Sequence, residues 1–434
     1  MVLQPSIIKQ AEDIIPEDKS YLQKICKVAK TGDDFVGIKI DYGNKIEVQF
    51  PMGFDLTGED KELRKDIQKL IQTFSIFTKQ QLDGKELDQI TDISELDFPI
   101  NSYLLVIENY LNYGYYVESD PIYKTSSRGK IDWPKTIRKQ TPLIQKSKSG
   151  NFSFIFTEFT IRSSMPDHNK IITIINRYCV FKAFEKFGWI YGSFMPNKSE
   201  FNPSKNLCRS VLNSKISSTF DDKKKKLFTA MLEIIEEEGH KSPTKKFRYG
   251  TEKFHVVWEK MIDVAFGITE NKKNKFYPSA IWRLKGKKQE ESSRLKPDTI
   301  MIIDEEYFVI DSKYYQYGVS DNPRKLPQSS DISKQIVYAE ILEVKHSVPS
   351  DNIFNAFIMP FNMKNNNFQI DNFCGYIGEA FGQWRSNEKT YEQIKGIVFD
   401  TKHLMYTYWQ KSAEDQKLLV TCIKQSSIVR GQVQ

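Results

Sequence analysis

The sequence predicts an α/β protein in which two α+β N-terminal regions precede a C-terminal domain with a mixed sheet flanked by helices. Short runs of β-branched residues bounded by polar turns indicate strands, and longer segments with apolar residues every three or four positions indicate helices. A hydrophobic content of 39% and a charged content of 27% are typical of a globular protein. The 434 residues are enough for two or three domains, and the pattern divides them into residues 1–95, 96–245 and 246–434.

The composition argues against several classes of protein. The five cysteines are scattered without a CxxC pair, which argues against a zinc ribbon or a disulfide framework and fits a reducing cytoplasm. The sequence has no HExxH motif, no P-loop and no apolar stretch long enough to span a membrane. We therefore expect a cytoplasmic protein without a signal peptide, and any nucleotide hydrolysis would come from a partner. The net charge of +7 and the lysine clusters at 223–226, 272–275 and 285–288 would suit a polyanion, although such clusters also occur on solvated faces.

Residues 1–95 show the pattern of a small α+β domain. The alternating runs Val36–Ile40 and Ile46–Phe50 predict a β-hairpin. Thr57, followed three residues later by Asp60, predicts the start of a helix. We expect that helix to bury one apolar stripe, formed by Leu63, Ile67, Leu70, Phe74 and Phe77.

Residues 96–245 alternate between helical and extended patterns. Helices are predicted over residues 103–113, 169–187 and 220–238. Residues 129–137 indicate a loop that leads into a strand, and the alternation of Phe152, Phe154 and Phe156 predicts a half-buried strand. Basic residues surround the first of these stretches, namely Arg128, Lys130, Lys135, Arg138 and Lys139. We interpret this region as a contact for a partner or for DNA.

The most informative stretch is residues 295–315, where two apolar runs flank an acidic turn. A two-residue turn would pair Ile303 with Glu306 and would place Asp298 opposite Asp311. Lys313 leaves the second strand on the same face as Asp311, because side chains alternate along a strand. A turn one residue longer would place Asp298 opposite Ser312 instead. With the shorter turn, two carboxylates and one ammonium group converge at one end of the hairpin.

These three side chains match the chemistry of phosphodiester hydrolysis, although ordinary solvated charges on a surface hairpin remain the alternative. Two carboxylates can hold Mg²⁺, which keeps several waters and binds phosphate oxygens of the substrate. A lysine beside them can orient or help deprotonate the attacking water and can offset negative charge on the phosphorus.

At these positions the chain resembles the PD-(D/E)xK nuclease superfamily. Pro297 and Asp298 match the PD element, and residues 311–313 (DSK) match the (D/E)xK element in the correct order. Residues 48–54 (VQFPMGF) and 129–133 (GKIDW), the latter followed by Thr136 and Ile137, narrow this resemblance. The chain resembles the LlaJI family of restriction endonuclease subunits, which is similar to McrC, the nuclease subunit of McrBC-type modification-dependent restriction systems.

The resemblance implies a Mg²⁺-dependent restriction endonuclease that hydrolyses double-stranded DNA. It implies a separate McrB-like AAA+ GTPase as the partner that recognises DNA, while this chain stimulates nucleotide hydrolysis and cuts. By the same resemblance, Asp298 and Asp311 would bind the metal and Lys313 would position the water and stabilise the transition state.

The superfamily also suggests auxiliary residues. Its members often carry a glutamate on the helix before the PD strand, and Glu259 on the predicted helix Phe254–Phe266 is the candidate for an additional metal-site carboxylate. His255, Glu259 and Asp263 would otherwise form a polar stripe on that helix. After the second strand, a predicted helix that starts near Ser330 or Asp331 brings three side chains within about one turn. These are the possible auxiliary residues Lys334, Gln335 and Tyr338, whose alternative is an ordinary polar helix face.

Three other functions stay open from the sequence. A stand-alone Type II restriction endonuclease would read its own DNA site. A RecB-like repair nuclease would prefer DNA ends or single strands. A non-cleaving adaptor would only stimulate a partner GTPase and would tolerate the loss of Lys313.

Overall fold

A computed structural model describes residues 19–40, 45–56, 58–82, 98–146, 150–198, 204–238, 247–292 and 294–425. Helices and strands are mixed along the chain and the main sheet contains both parallel and antiparallel pairs, which confirms the predicted α/β class. Among the described residues, no helix combines the length and the apolar character that crossing a membrane requires.

The helices are numbered in chain order. They are α1 (Lys19–Ile25), α2 (Asp60–Leu82), α3 (Ile100–Tyr113), α4 (Trp133–Lys139), α5 (Ile171–Phe187), α6 (Lys205–Ser218), α7 (Asp222–Glu238), α8 (Phe254–Phe266), α9 (Glu270–Lys273), α10 (Tyr317–Ser320), α11 (Ser329–His346), α12 (Thr401–Thr407) and α13 (Ala413–Lys424).

The strands are numbered in the same way. They are β1 (Cys26–Val28), β2 (Val36–Ile40), β3 (Ile46–Phe50), β4 (Glu118–Ser126), β5 (Leu143–Lys146), β6 (Phe152–Ile155), β7 (Phe159–Asp167), β8 (Phe247–Thr251), β9 (Ile281–Trp282), β10 (Glu290–Glu291), β11 (Thr299–Ile303), β12 (Glu306–Ser312), β13 (Ile353–Phe361), β14 (Cys374–Phe381) and β15 (Gln393–Asp400).

The chain divides into two compact units. The middle unit contains Pro99–Pro243, and the sheet unit combines Asp18–Phe98 with Thr244–Gln434. The unit boundaries lie within a few residues of the two predicted domain boundaries, and most of the first predicted segment shares a unit with the third. The division into three segments itself stays a prediction.

The sheet unit is built on a five-stranded sheet in the order β11–β12–β13–β15–β14. The two outer pairs, β11–β12 and β14–β15, are antiparallel, and the two inner pairs are parallel. The inner strands are largely buried, as expected for parallel strands covered on both faces. Helix α11 packs on one face through Ile336, Ala339 and Leu342. This packing brings the first turns of α11 next to the end of β12.

A second sheet of this unit runs in the order β1–β3–β2–β8. The predicted hairpin is confirmed, because β2 and β3 pair antiparallel from Ile40 opposite Ile46 to Gly37 opposite Gln49. The buried stripe of α2 is confirmed at Leu63, Ile67, Leu70 and Phe74. Thr57 and the side chain of Phe77 lie outside the described residues, and α2 begins at Asp60.

The middle unit contains helices α3, α5, α6 and α7 and two antiparallel ribbons, β4–β7 and β5–β6. Two predictions in it are wrong. The passage at residues 129–137 enters helix α4 rather than a strand, because Asp132 caps the helix by accepting from the Lys135 N–H and Pro134 suits its first turn. The strand predicted to be half-buried forms as β6, but all of its residues are exposed. It pairs with β5, whose residues are exposed as well, so the pairing buries neither strand.

Candidate active site

The β11–β12 hairpin has the register that the two-residue turn predicts. Ile303 pairs with Glu306, and Thr299 pairs with Ile310. Asp304 and Glu305 have φ values of 49° and 63°, as a tight turn matched to the twist of a hairpin requires. One position beyond the last pair, Asp298 therefore lies opposite Asp311.

The two carboxyl groups of the hairpin are in contact. Oδ2 of Asp298 accepts a hydrogen bond of 2.8 Å from the backbone N–H of Ser312. Burial raises the pKa of Asp298 well above its usual range, and the charges of Asp311 and Glu259 and a hydrogen bond with the Asp311 carboxyl add to the effect. A pair of carboxylates this close favours a shared proton or a shared cation.

Lys313 lies between two carboxylates. Its Nζ is 2.7 Å from Oδ2 of Asp311 and 3.0 Å from Oδ1 of Asp331. Although burial by itself would lower it, these carboxylates raise the pKa of Lys313 above its ordinary value. Lys313 is therefore a fixed positive charge beside the carboxylate pair.

Asp331 is a site residue that the sequence revealed only as a candidate helix cap. The N-cap of α11 is Gln328, and Asp331 at N3 accepts a 2.9 Å hydrogen bond from the Gln328 N–H. Burial by itself would raise the pKa of Asp331, but the hydrogen bond from Lys313 holds it below its usual value. No motif marks this contact, because it depends on the docking of α11 beside the end of β12.

We expect Asp331→Asn to lower the activity of this site by about 10- to 100-fold, as the loss of a supporting partner typically does. The amide oxygen can still accept from the Gln328 N–H, so the helix start is kept while Lys313 loses one of its two anchoring charges. Turnover at the site, measured alongside substrate binding, checks this. The control is Gln328→Ala, which weakens the cap and leaves Lys313 its carboxylate. Equal losses in both variants would assign Asp331 to helix capping alone.

Glu259 lies on α8 within electrostatic range of the hairpin carboxylates. Burial, followed by the charge of Asp311, raises the pKa of Glu259 to about 7, while Lys313 and Lys334 oppose that rise. The alternative from the sequence is that His255, Glu259 and Asp263 form one solvated polar stripe on α8. Asp263 does not fit that alternative, because its side chain binds Lys273 at 2.8 Å.

Lys273 is a second residue that the sequence did not single out. Its side chain is almost fully buried, and its Nζ donates to the backbone oxygen of Asp298 at 3.2 Å as well as to Asp263. This ammonium group connects α8, α9 and the residue that starts the hairpin. Its sequence context, a lysine-rich polar stretch, offers no sign of burial.

The three residues predicted on α11 separate into two groups. A hydrogen bond with the Tyr338 hydroxyl raises the pKa of Lys334, and the charge of Asp311 also contributes. Burial raises the pKa of Tyr338, and the charges of Asp311 and Asp298 contribute as well. Lys334 and Tyr338 therefore lie near the carboxylate pair.

Gln335 occupies the interior between α11 and the sheet. Its Nε2 donates to the backbone oxygen of Val309 at 2.8 Å and to Oδ1 of Asn355 at 3.3 Å. These contacts attach the helix to β12 and β13. They give Gln335 a structural role, and its part in the chemistry stays a prediction.

Comparisons with known proteins identify the family of the chain. A family model described as LlaJI restriction endonuclease matches residues 35–375, a range that contains every candidate residue described above. The chain is also 30% identical over 277 residues to the Type II restriction enzyme BsuMI component YdjA of Bacillus subtilis (strain 168). That alignment covers 59% of this chain and 57% of the relative, so the chain spans little more than half the length of that protein. Because the family model covers well over half of its residues, the chain belongs to the LlaJI restriction endonuclease family.

Proposed function

We propose that this chain is the DNA-cleaving subunit of a restriction system and hydrolyses phosphodiester bonds of double-stranded DNA with the help of Mg²⁺. The observation that carries the proposal is the contact of Asp298 with Asp311 and of Asp311 with Lys313 at the end of β12. Burying two carboxyl groups and an ammonium group together costs desolvation free energy and places like charges side by side. Such clusters are typical of a reaction site. Family membership supports a nuclease role in restriction.

The donor set fits magnesium. Within the described residues, no group of three or more histidine, cysteine, aspartate and glutamate side chains is arranged to hold a metal ion. Mg²⁺ needs only one or two carboxylates, since waters and phosphate oxygens complete its octahedron. We propose Asp298 and Asp311 as its ligands. Glu259 does not form a three-carboxylate cluster with them, so we propose it as a nearby auxiliary acid rather than as a third ligand. When bound, Mg²⁺ would polarise the phosphoryl group and neutralise part of its charge.

The remaining residues support the reaction by position and charge. Lys313 stays protonated between Asp311 and Asp331, so we assign it to orienting the water and offsetting negative charge on the phosphoryl oxygens rather than to proton abstraction. Lys334 and Tyr338 would place a further cation and a hydroxyl donor on the side of α11.

We also propose that an McrB-like AAA+ GTPase is the partner. The sequence contains no P-loop, and the relative of Bacillus subtilis is named as a component of its enzyme. The ribbon β5–β6 in the middle unit exposes Leu143, Ile144, Phe152 and Phe154 by more than 60% each. Exposed apolar surface of this kind is typical of a protein contact.

The test is cleavage of closed-circular DNA. We expect the purified chain alone to leave the circles intact in Mg²⁺, and the chain with its GTPase subunit and GTP to linearise them. EDTA should abolish cutting, and excess Mg²⁺ should restore it, because the carboxylate pair cannot activate water on its own. Cutting in EDTA would contradict the metal assignment.

The second candidate is a stand-alone Type II restriction endonuclease. The relative of Bacillus subtilis is named as part of a Type II enzyme, although as one component of it. Cutting at one fixed site by this chain alone, without nucleotide, would select it over the partner-dependent subunit. Failure of the complete mixture to cut, with both proteins folded, would contradict the nuclease function itself.

A further inference from the structure

A positively charged β-ribbon projects from the sheet unit directly before the candidate active site. Residues 279–292, which we name the basic arm, contain β9 and β10, paired with Trp282 opposite Glu290. The turn between the strands is closed by the Lys287 N–H and the Leu284 oxygen at 3.2 Å, and Gly286 has a φ of 75°. Each residue from 279 to 291 is exposed.

The tip of the arm concentrates cations. Residues 283–288 (RLKGKK) contain four basic residues and no acidic one, namely Arg283, Lys285, Lys287 and Lys288. Within the described part of the chain, none of these four forms an ion pair with a carboxylate. Beside them, the side chain of Trp282 is 62% exposed.

Stability of the fold does not explain this composition. A two-stranded ribbon with both faces in solvent buries no core, and such a ribbon is marginal on its own. Four like charges within six residues repel one another and lower the stability of the turn further. The arm therefore has the composition of a surface that meets a polyanion.

The root of the arm is close to Asp298 along the chain. Two backbone hydrogen bonds close the root of the arm. The Ser292 N–H donates to the Ala280 oxygen at 2.8 Å, and the Leu295 N–H donates to the Pro278 oxygen. Leu295 is three residues from Asp298, so their Cα atoms are at most about 11 Å apart. On the other side, Phe276 is buried in the core next to Tyr307.

We propose that the basic arm binds the sugar–phosphate backbone of duplex DNA next to the bond that is cut. The inference rests on the proposed function, because Asp298 marks the position of the bond that is cut only if this site hydrolyses DNA. From the Ala280–Ser292 pair to the turn the arm extends about 20 Å, which spans roughly six phosphates of one strand. Arg283 suits bidentate binding of a phosphate, the lysines add point charges, and such contacts are independent of sequence.

The test compares two fourfold variants of the full chain. In one, Arg283, Lys285, Lys287 and Lys288 are replaced by glutamine. In the matched control, Lys24, Lys61, Lys65 and Lys411, four exposed lysines of the sheet unit that lie outside the lysine clusters, are replaced in the same way. Binding to a 30-base-pair duplex is measured by fluorescence anisotropy at several KCl concentrations in EDTA, so that cleavage does not contribute.

We expect the arm variant to bind at least about tenfold more weakly at low salt. The slope of log K against log[KCl] should become shallower by about 0.9 for each phosphate that the variant no longer neutralises, so by up to about 3.6. The control should stay within about twofold of the wild type in affinity. Both variants should keep the thermal unfolding midpoint of the wild type, since every substituted side chain is exposed.

Equal losses of affinity in the two variants would show an effect of net charge alone and overturn the proposal. It would also be overturned if the wild-type chain fails to bind the duplex at low salt, or if the arm variant binds like the wild type. An arm variant that binds DNA normally but no longer associates with the GTPase would assign the arm to a protein partner instead. If the complete system never cuts DNA while the arm-specific loss of binding is observed, the nuclease function fails and the DNA contact stands.

Discussion

Replacement of Asp311 by asparagine is expected to abolish DNA cleavage and to leave the fold intact. Asp311 is nearly buried, binds Lys313 at 2.7 Å and contacts Asp298, so its charge acts on the other carboxyl group of the hairpin and on the lysine. An amide of the same shape would remove one of the two proposed magnesium ligands and one anchor of Lys313. We expect a loss of about a thousandfold or more in cleavage rate, within the range lost with a catalytic group.

The fold should tolerate this change for an electrostatic reason. Lys313 keeps Asp331 as its partner, and the repulsion of Asp311 with Asp298 and Glu259 disappears. The unfolding midpoint should therefore stay the same or rise, as often occurs when a strained functional charge is removed.

The matched control for Asp311→Asn is Asp304→Asn. It makes the same chemical change in the exposed turn of the same hairpin, at a φ of 49° that asparagine adopts readily. Cleavage of closed-circular DNA by the complete system measures both variants. Full activity of a folded Asp311→Asn variant would remove Asp311 from the reaction, and equal loss in Asp304→Asn would indicate a general effect of charge.

Replacement of Gly37 by alanine is expected to destabilise the sheet unit by about 3 kcal/mol or more, from steric overlap and backbone strain together. Gly37 on β2 lies opposite Gly250 on β8. A Cβ at Gly37 would lie 2.2 Å from the backbone oxygen of Tyr249 and 2.6 Å from the Cα of Gly250. Both contacts are with backbone, so no side-chain rotation relieves them. The pairing of β2 with β8 also joins the two sequence segments of this unit.

Gly378→Ala is the control that separates overlap from strain. Gly378 has a φ of 134°, close to the 144° of Gly37, and a Cβ there would meet nothing within 4 Å. We expect it to cost only the strain of the backbone, about 1 kcal/mol. Urea unfolding of both variants tests the difference. Similar urea midpoints for Gly37→Ala and Gly378→Ala would show that the close contact between β2 and β8 at Gly37 contributes little to the loss of stability.

The register of the β11–β12 hairpin was predictable from the sequence because it is a local property. A two-residue turn and the two-residue period of strands place Asp298 opposite Asp311 without reference to the rest of the chain. The same holds for β2–β3 and for the buried stripe of α2, where spacing of apolar residues alone defines the core face. The charges alone are compatible with an ordinary surface hairpin. The family resemblance is what suggested phosphodiester hydrolysis at this end of the hairpin.

Contacts between distant elements were not predictable in this way. The wrong prediction at β6 has this origin, because its sheet neighbour β5 is itself exposed. The error at α4 was local, since Asp132 caps the helix through the N–H of Lys135 and overrode the strand pattern. Gln335 and Lys334 are adjacent in sequence, but only the docking of α11 decides that one enters the core and the other faces the carboxylates.

The sequence by itself determined the α/β class, the hairpin register and the position of two aspartates and one lysine at one end of that hairpin. The tertiary structure alone decided which further charges support them, Asp331 for Lys313 and Lys273 for the backbone of Asp298. Local periodicity acts over a few residues, whereas these ion pairs form only when helices that are far apart in sequence pack on one sheet and exclude water from the charges between them.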